Sequence, residues 1–173
     1  MATIIREVES TFYVTQDVSV ANGSTLPIYG SVERGDNYFA MMLEGQRWMD
    51  TPRLRKLQAL VSATRRIEQL RFYGEKADAS QPLQFPRGTD TLVPVEIEQA
   101  CYELAQVLLK GVDPDKEADN LSVTVLAFGQ LRSEQDRSFV PPYVRAGIPS
   151  QTAWNLLFPF LDPDMGITLQ RVS

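Results

Sequence analysis

The chain of 173 residues has no histidine. Without an imidazole there is no Ser-His-Asp or Cys-His catalysis, no His-ligated zinc, and no side chain that ordinarily titrates near neutrality. A single cysteine, Cys101, cannot close an internal disulfide or build a Cys-rich metal cluster, and its isolation fits a reducing compartment. Neither G-x-x-x-x-G-K-[ST] nor G-x-G-x-x-G occurs, so no phosphate cradle is visible. Basic residues are in deficit: 17 Lys and Arg against 22 Asp and Glu leave a net charge of -5, the wrong sign for a protein that lives by phosphate contacts. The apolar runs at 123–128 and 154–161 are too short to span a bilayer. The first ten residues hold no charged stretch followed by an apolar one, so no signal peptide is expected. Acidic residues alternate at Asp113, Asp115 and Glu117. Ala118 stands where a calcium loop needs glycine and Thr124 where it needs glutamate, which favours a solvated acidic loop. No catalytic, cofactor-binding or metal site is expected, no membrane partner, and no enzyme.

What is present is ordinary globular material, 43% hydrophobic and 23% charged, enough for one domain with arms. The pattern predicts a mainly α protein: a small bundle of about four helices, a minor β element, and extended N- and C-terminal arms. Residues 1–28 read as an extended arm, from β-branched and aromatic clusters at 3–5 and 11–15 and the Asn22-Gly23 turn. Such an arm has too little apolar area to stand alone and should lie on the domain or on a neighbour. Residues 29–161 form the helical domain and 162–173 a β-like tail. A first helix is predicted over 32–42, capped by Ser31 and ended by Gly45. A second is predicted over 51–73, with Leu54, Leu57, Leu60, Val61, Thr64 and Ile67 on one side and Arg55, Gln58, Ser62, Arg65, Arg66 and Gln69 on the other. A proline-rich loop at 74–93 leads to a third helix over 94–110, with a stripe of Ile97, Ala100, Cys101, Leu104, Ala105 and Leu108. A strand at 121–128, a long charged loop at 129–149 and a last helix at 150–158 complete the pattern.

Three features invite a partner. Arg47, Arg53, Arg55, Lys56, Arg65, Arg66 and Arg71 place seven of the 17 basic residues between positions 47 and 71. This face suits single-stranded nucleic acid, with Trp48, Phe72 and Tyr73 for stacking, or an acidic protein surface. The acidity of the whole chain favours the protein surface. Glu68 falls inside the apolar arc of its helix and needs a partner, either Arg71 one turn on or another subunit. The segment 154–161 holds more large apolar surface than a short helix buries on one face, so Trp154 and Leu157 either close the core or belong to an interface.

The order of several short stretches is familiar. Tyr29-Gly-Ser-Val32 runs into Gly35-Asp-Asn-Tyr38-Phe39 and Trp48. Lys56-Leu57-Gln-Ala-Leu60-Val61-Ser-Ala63-Thr64-Arg65-Arg-Ile67 follows, then Leu83-Gln-Phe85-Pro86-Arg87. Val93-Pro94 finally leads into Ile97-Glu-Gln-Ala100-Cys-Tyr-Glu103-Leu104-Ala105. The succession, over about 29–111, resembles the head–tail adaptor (head completion, or connector) proteins of tailed bacteriophages, some of which carry the label DnaT-like single-stranded DNA-binding protein. The longer N-terminal arm and the 129–149 loop depart from that pattern.

The resemblance implies a structural virion protein made in the bacterial host cytoplasm. It would form a homo-oligomeric ring, twelve copies being typical, that extends the DNA channel under the portal and joins head to neck or tail. The implied partners are further copies of itself, the portal protein and a downstream neck or tail-completion protein. Double-stranded DNA would pass through without specific binding, as an acidic surface allows. Trp154, Phe158, Phe160, Leu161 and Arg171 are the expected portal contacts. Arg55, Arg65, Arg66, Glu96 and Glu103 are the expected subunit contacts, a basic face meeting an acidic one around a ring. The alternative is a single-stranded DNA-binding replication accessory protein, which requires aromatic rings exposed beside the basic face.

Overall fold

The computed structural model describes residues 25–113 and 141–163, together with the backbone of strand segments at 7–9, 15–19, 125–128 and 131–134. The protein is mainly helical. Three short strands, β1 (Glu7–Glu9), β2 (Thr15–Ser19) and β3 (Thr25–Tyr29), form an antiparallel meander in the order β1-β2-β3. Pro27 lies opposite Asp17 in β3, an edge strand, where a residue with no N–H to donate is tolerated. The expected boundary between arm and domain at 28–29 falls inside β3. Ile28 and Tyr29 are buried in the core, and the Tyr29 N–H donates to Thr64 Oγ1 at 3.1 Å. The final strand of the expected arm therefore lies on its own domain. The strand expected at 3–5 lies outside the described residues, and so does the tail after Pro163.

Ser31 opens the first helix, α1 (Val32–Ala40), its hydroxyl accepting the Arg34 N–H at 3.2 Å. A tight corner leads to α2 (Gln46–Met49), a single turn with no advance signal in the sequence. The basic helix is α3 (Arg53–Ile67), with Pro52 in extended conformation as its N-cap and no side-chain cap. Its buried arc is rotated from the predicted one: Leu54 faces solvent, and Lys56 is buried with Leu57, Leu60, Ala63, Thr64 and Ile67. The cause lies on other elements. Asp36 of α1 takes the Lys56 ammonium at 2.7 Å, and the Trp48 ring of α2 lies under it, 5.6 Å from the centroid.

Helix α3 stops at Ile67, six residues short of expectation. Glu68 finds its partners within the fold, and they are not Arg71: its carboxylate accepts the Tyr29 hydroxyl and the Gln84 N–H, the latter at 3.1 Å to both oxygens. The Gln84 side-chain amide donates to the freed carbonyls of Glu68 and Leu70 at 2.8 and 2.9 Å. The loop at 74–93 thus supplies the hydrogen bonds that further helix would have made. Arg87 completes the closure by donating to the carbonyls of Phe72 at 3.0 Å, Tyr73 at 2.8 Å and Gly74.

Helix α4 (Val95–Leu109) packs across α3 and also against the last helix, α6 (Gln151–Leu157). Ser150 caps α6 by accepting the Ala153 N–H at 3.1 Å, and a 3-10 turn, Phe158–Phe160, follows. The expected strand is represented by β4 (Val125–Phe128), which pairs antiparallel with β5 (Leu131–Glu134). A further turn of helix, α5 (Pro142–Arg145), precedes α6. The region read as one long loop therefore holds a strand and a helical turn. Neither Leu131-Arg-Ser-Glu134 nor Pro142-Tyr-Val-Arg145 carries apolar periodicity, so the pattern alone could not reveal them.

Candidate functional site

The cations of the basic segment divide by what the fold has done with them. Lys56 is buried on Asp36, and Arg53 pairs with Glu33 at 2.6 Å on the surface. Arg66 is half-buried and reaches the Gly147 carbonyl at 3.5 Å, while Arg55 donates to its helical neighbour Gln58 at 3.3 Å. Arg47, Arg65 and Arg71 are exposed, with no carboxylate on their side chains among the described residues. Of the three aromatic residues expected to stack on bases, two are in the core. Trp48 is 0% exposed, its indole N–H donating to Asp36 at 2.7 Å, and Phe72 packs edge-on against Phe85. Only Tyr73, 73% exposed, offers a ring to solvent.

On the acidic side, Glu103 is engaged internally as acceptor of the Tyr38 hydroxyl at 2.8 Å, whereas Glu96 is exposed. Burial, and then the Glu103 charge, push the Tyr38 hydroxyl well above its usual range. Of the expected subunit contacts, Arg55, Arg65 and Glu96 are thus available on the surface, and Glu103 and Arg66 are partly committed within the fold. The C-terminal candidates divide similarly. Trp154 and Leu157 close the core, while Phe158 is 44% exposed. Phe160 sets its ring edge-on to Phe85 at 5.6 Å, and Leu161 bridges to Phe72. Arg171 lies outside the described residues.

The most exposed large apolar side chains among the described residues were not expected from the sequence. At the corner between α1 and α2, Met41 is 87% exposed and Leu43 fully so, with the 43% exposed Met42 between them. This corner is firmly built. A Cβ on buried Gly45 would lie 1.9 Å from the Phe39 carbonyl oxygen, so only glycine fits. The buried Gln106 amide of α4 donates to the Glu44 carbonyl at 2.9 Å, and Lys110 pairs with the Glu44 side chain at 3.5 Å. The available signal was Met41-Met-Leu43 running past the predicted end of the helix into Gly45, where the buried stripe has no further use for apolar side chains.

The stretches that carried the resemblance serve the fold. A Cβ on Gly30 would lie 2.1 Å from the Tyr102 hydroxyl oxygen, which accepts the Ser31 N–H at 3.1 Å. Tyr29, Gln84 and Phe85 surround Glu68. Burial, reinforced by that carboxylate, pushes the Tyr29 hydroxyl far above its usual range. A family model described as "Putative DnaT-like ssDNA binding protein" matches residues 19–132, about two-thirds of the chain. The chain belongs to this family. No curated protein and no solved structure matches it. The DnaT-like match takes in α1 to α4 and ends inside β5, so α5, α6 and the exposed Phe158 lie beyond it. Its description names single-stranded DNA binding and says nothing of portals or rings. It therefore agrees with the alternative drawn from the sequence better than with the adaptor.

Proposed function

We propose that this DnaT-like protein is a structural virion component, a head-to-tail adaptor that assembles into a ring under the portal and extends the DNA channel. The observation that carries the reading is the contrast between Met41 and Leu43, held in solvent on a rigid corner, and Trp48 and Phe72, held in the core. An exposed apolar knob on a firm support is what a protein partner buries. Single-strand binding needs stacking rings outside beside the exposed cations, and of the three candidate rings only Tyr73 is outside. The family's description supports the second reading, a single-stranded DNA-binding accessory protein, for which Arg65, Arg71 and Tyr73 are the exposed groups. Mass spectrometry of purified virions separates the two. Copies comparable in number to the portal uphold the adaptor; absence from the particle overturns it and leaves the accessory role.

A further inference from the structure

Two apolar surfaces lie at opposite ends of α4. The knob of Met41 and Leu43 is pinned to the C-terminal part of that helix by the Gln106–Glu44 hydrogen bond. At the other end, Leu92 and Val95 are 53% and 52% exposed where the chain enters α4. From Val95 to Gln106 the helix rises about 16 Å, so one partner residue cannot cover both surfaces.

Their charged neighbours are complementary. Arg47, two residues past Gly45, has no carboxylate partner among the described residues. Glu96, next to Val95 in the first turn of α4, has no cation partner among the described residues. We propose that Met41, Leu43 and Arg47 of one copy dock on Leu92, Val95 and Glu96 of the next. The two surfaces differ in sequence and sit at opposite ends, so the contact is head to tail. It leaves every open assembly with one free knob and one free socket until a ring closes, and it would give an open filament if the rotation did not close. This inference rests on the adaptor reading and deepens it: the subunit contact runs through the two ends of α4, with the basic face of α3 outside it.

The test uses the full chain and two surface variants, Met41→Glu/Leu43→Glu and Leu92→Glu/Val95→Glu, checked for folding by circular dichroism and thermal unfolding. Light scattering and native mass spectrometry read the assembly state. The wild type should assemble with rising concentration, and each variant should associate at least tenfold more weakly. An equal mixture of the two variants should give heterodimers and nothing larger, because only one good knob and one good socket remain. Arg47→Glu should weaken assembly, and adding Glu96→Arg should restore it. Assembly of both variants like the wild type overturns this interface while leaving the adaptor reading in place. A wild type that stays monomeric up to about 1 mM protein overturns the interface outright, and the virion count then decides the adaptor reading separately. A variant mixture that gives no heterodimer, or larger species, overturns the head-to-tail arrangement.

Discussion

Glu98 lies in the first turn of α4 with its side chain 2% exposed. One oxygen is 2.6 Å from the half-exposed Arg34 guanidinium, and the other has no hydrogen-bond partner among the described residues. Burial lifts its pKa to about 7, with Arg34 opposing and losing. No other ion pair to Glu98 is present among the described residues, and the nearby hydroxyl of Tyr102 stays neutral, raised by its own burial. Folding therefore favours the neutral acid. The contribution is complete below the unfolded value near 4.5 and is lost as pH rises through about 7. The difference across that window is of order 3 kcal/mol. Urea unfolding at pH 5 and pH 8 should show the wild type losing stability at the higher pH while Glu98→Gln loses much less. Parallel pH profiles in the two proteins would remove Glu98 as the source. The same burial raises the Cys101 thiol to about 12, which leaves it unreactive and agrees with its expected role as a small core residue.

Helices α1, α2 and α3 are tied together at one point, where Asp36 receives both the Trp48 indole N–H and the Lys56 ammonium, each at 2.7 Å. The two partners of this ion pair are not equivalent. Lys56 is buried, so removing Asp36 strands a charge in the core, whereas replacing Lys56 by methionine keeps the volume and leaves the half-exposed carboxylate hydrated and bonded to Trp48. Asp36→Ala should destabilise by about 3 kcal/mol and Lys56→Met by less than about 1 kcal/mol. Chemical denaturation of both variants checks the order, and a reversed order would show that the ammonium, not the carboxylate, anchors the three helices. This junction also explains why α3 lies rotated from the arc that hydropathy predicts.

For the whole molecule, the net charge of -5 and the burial of two of three candidate stacking rings both act against single-strand binding. Any binding that occurs must use exposed groups such as Arg65, Arg71 and Tyr73. Fluorescence anisotropy with an oligothymidine should therefore give weak, sequence-indifferent binding. Its affinity should fall by about tenfold or more between 50 and 200 mM salt, and Tyr73→Ala should weaken it further. Tight binding that persists at 200 mM salt would favour the accessory reading that the family's description supports.

Legible in the residues alone were the mainly helical class, the Ser31 cap, the buried stripe of α4 and the need for a partner at Glu68. Each of these follows from local chemistry: a cap oxygen or a period of 3.6 residues. Long-range packing set the rest: Glu68 meets Tyr29 and Gln84, Lys56 turns inward and Leu54 outward, and α3 ends where the 74–93 loop takes over its hydrogen bonds. It also decided that the Tyr29, Trp48 and Phe85 stretches hold the fold while Met41 and Leu43 face solvent. The reason is physical. Burial of a side chain depends on which distant element lies opposite it, and a single helix's periodicity carries no record of that neighbour.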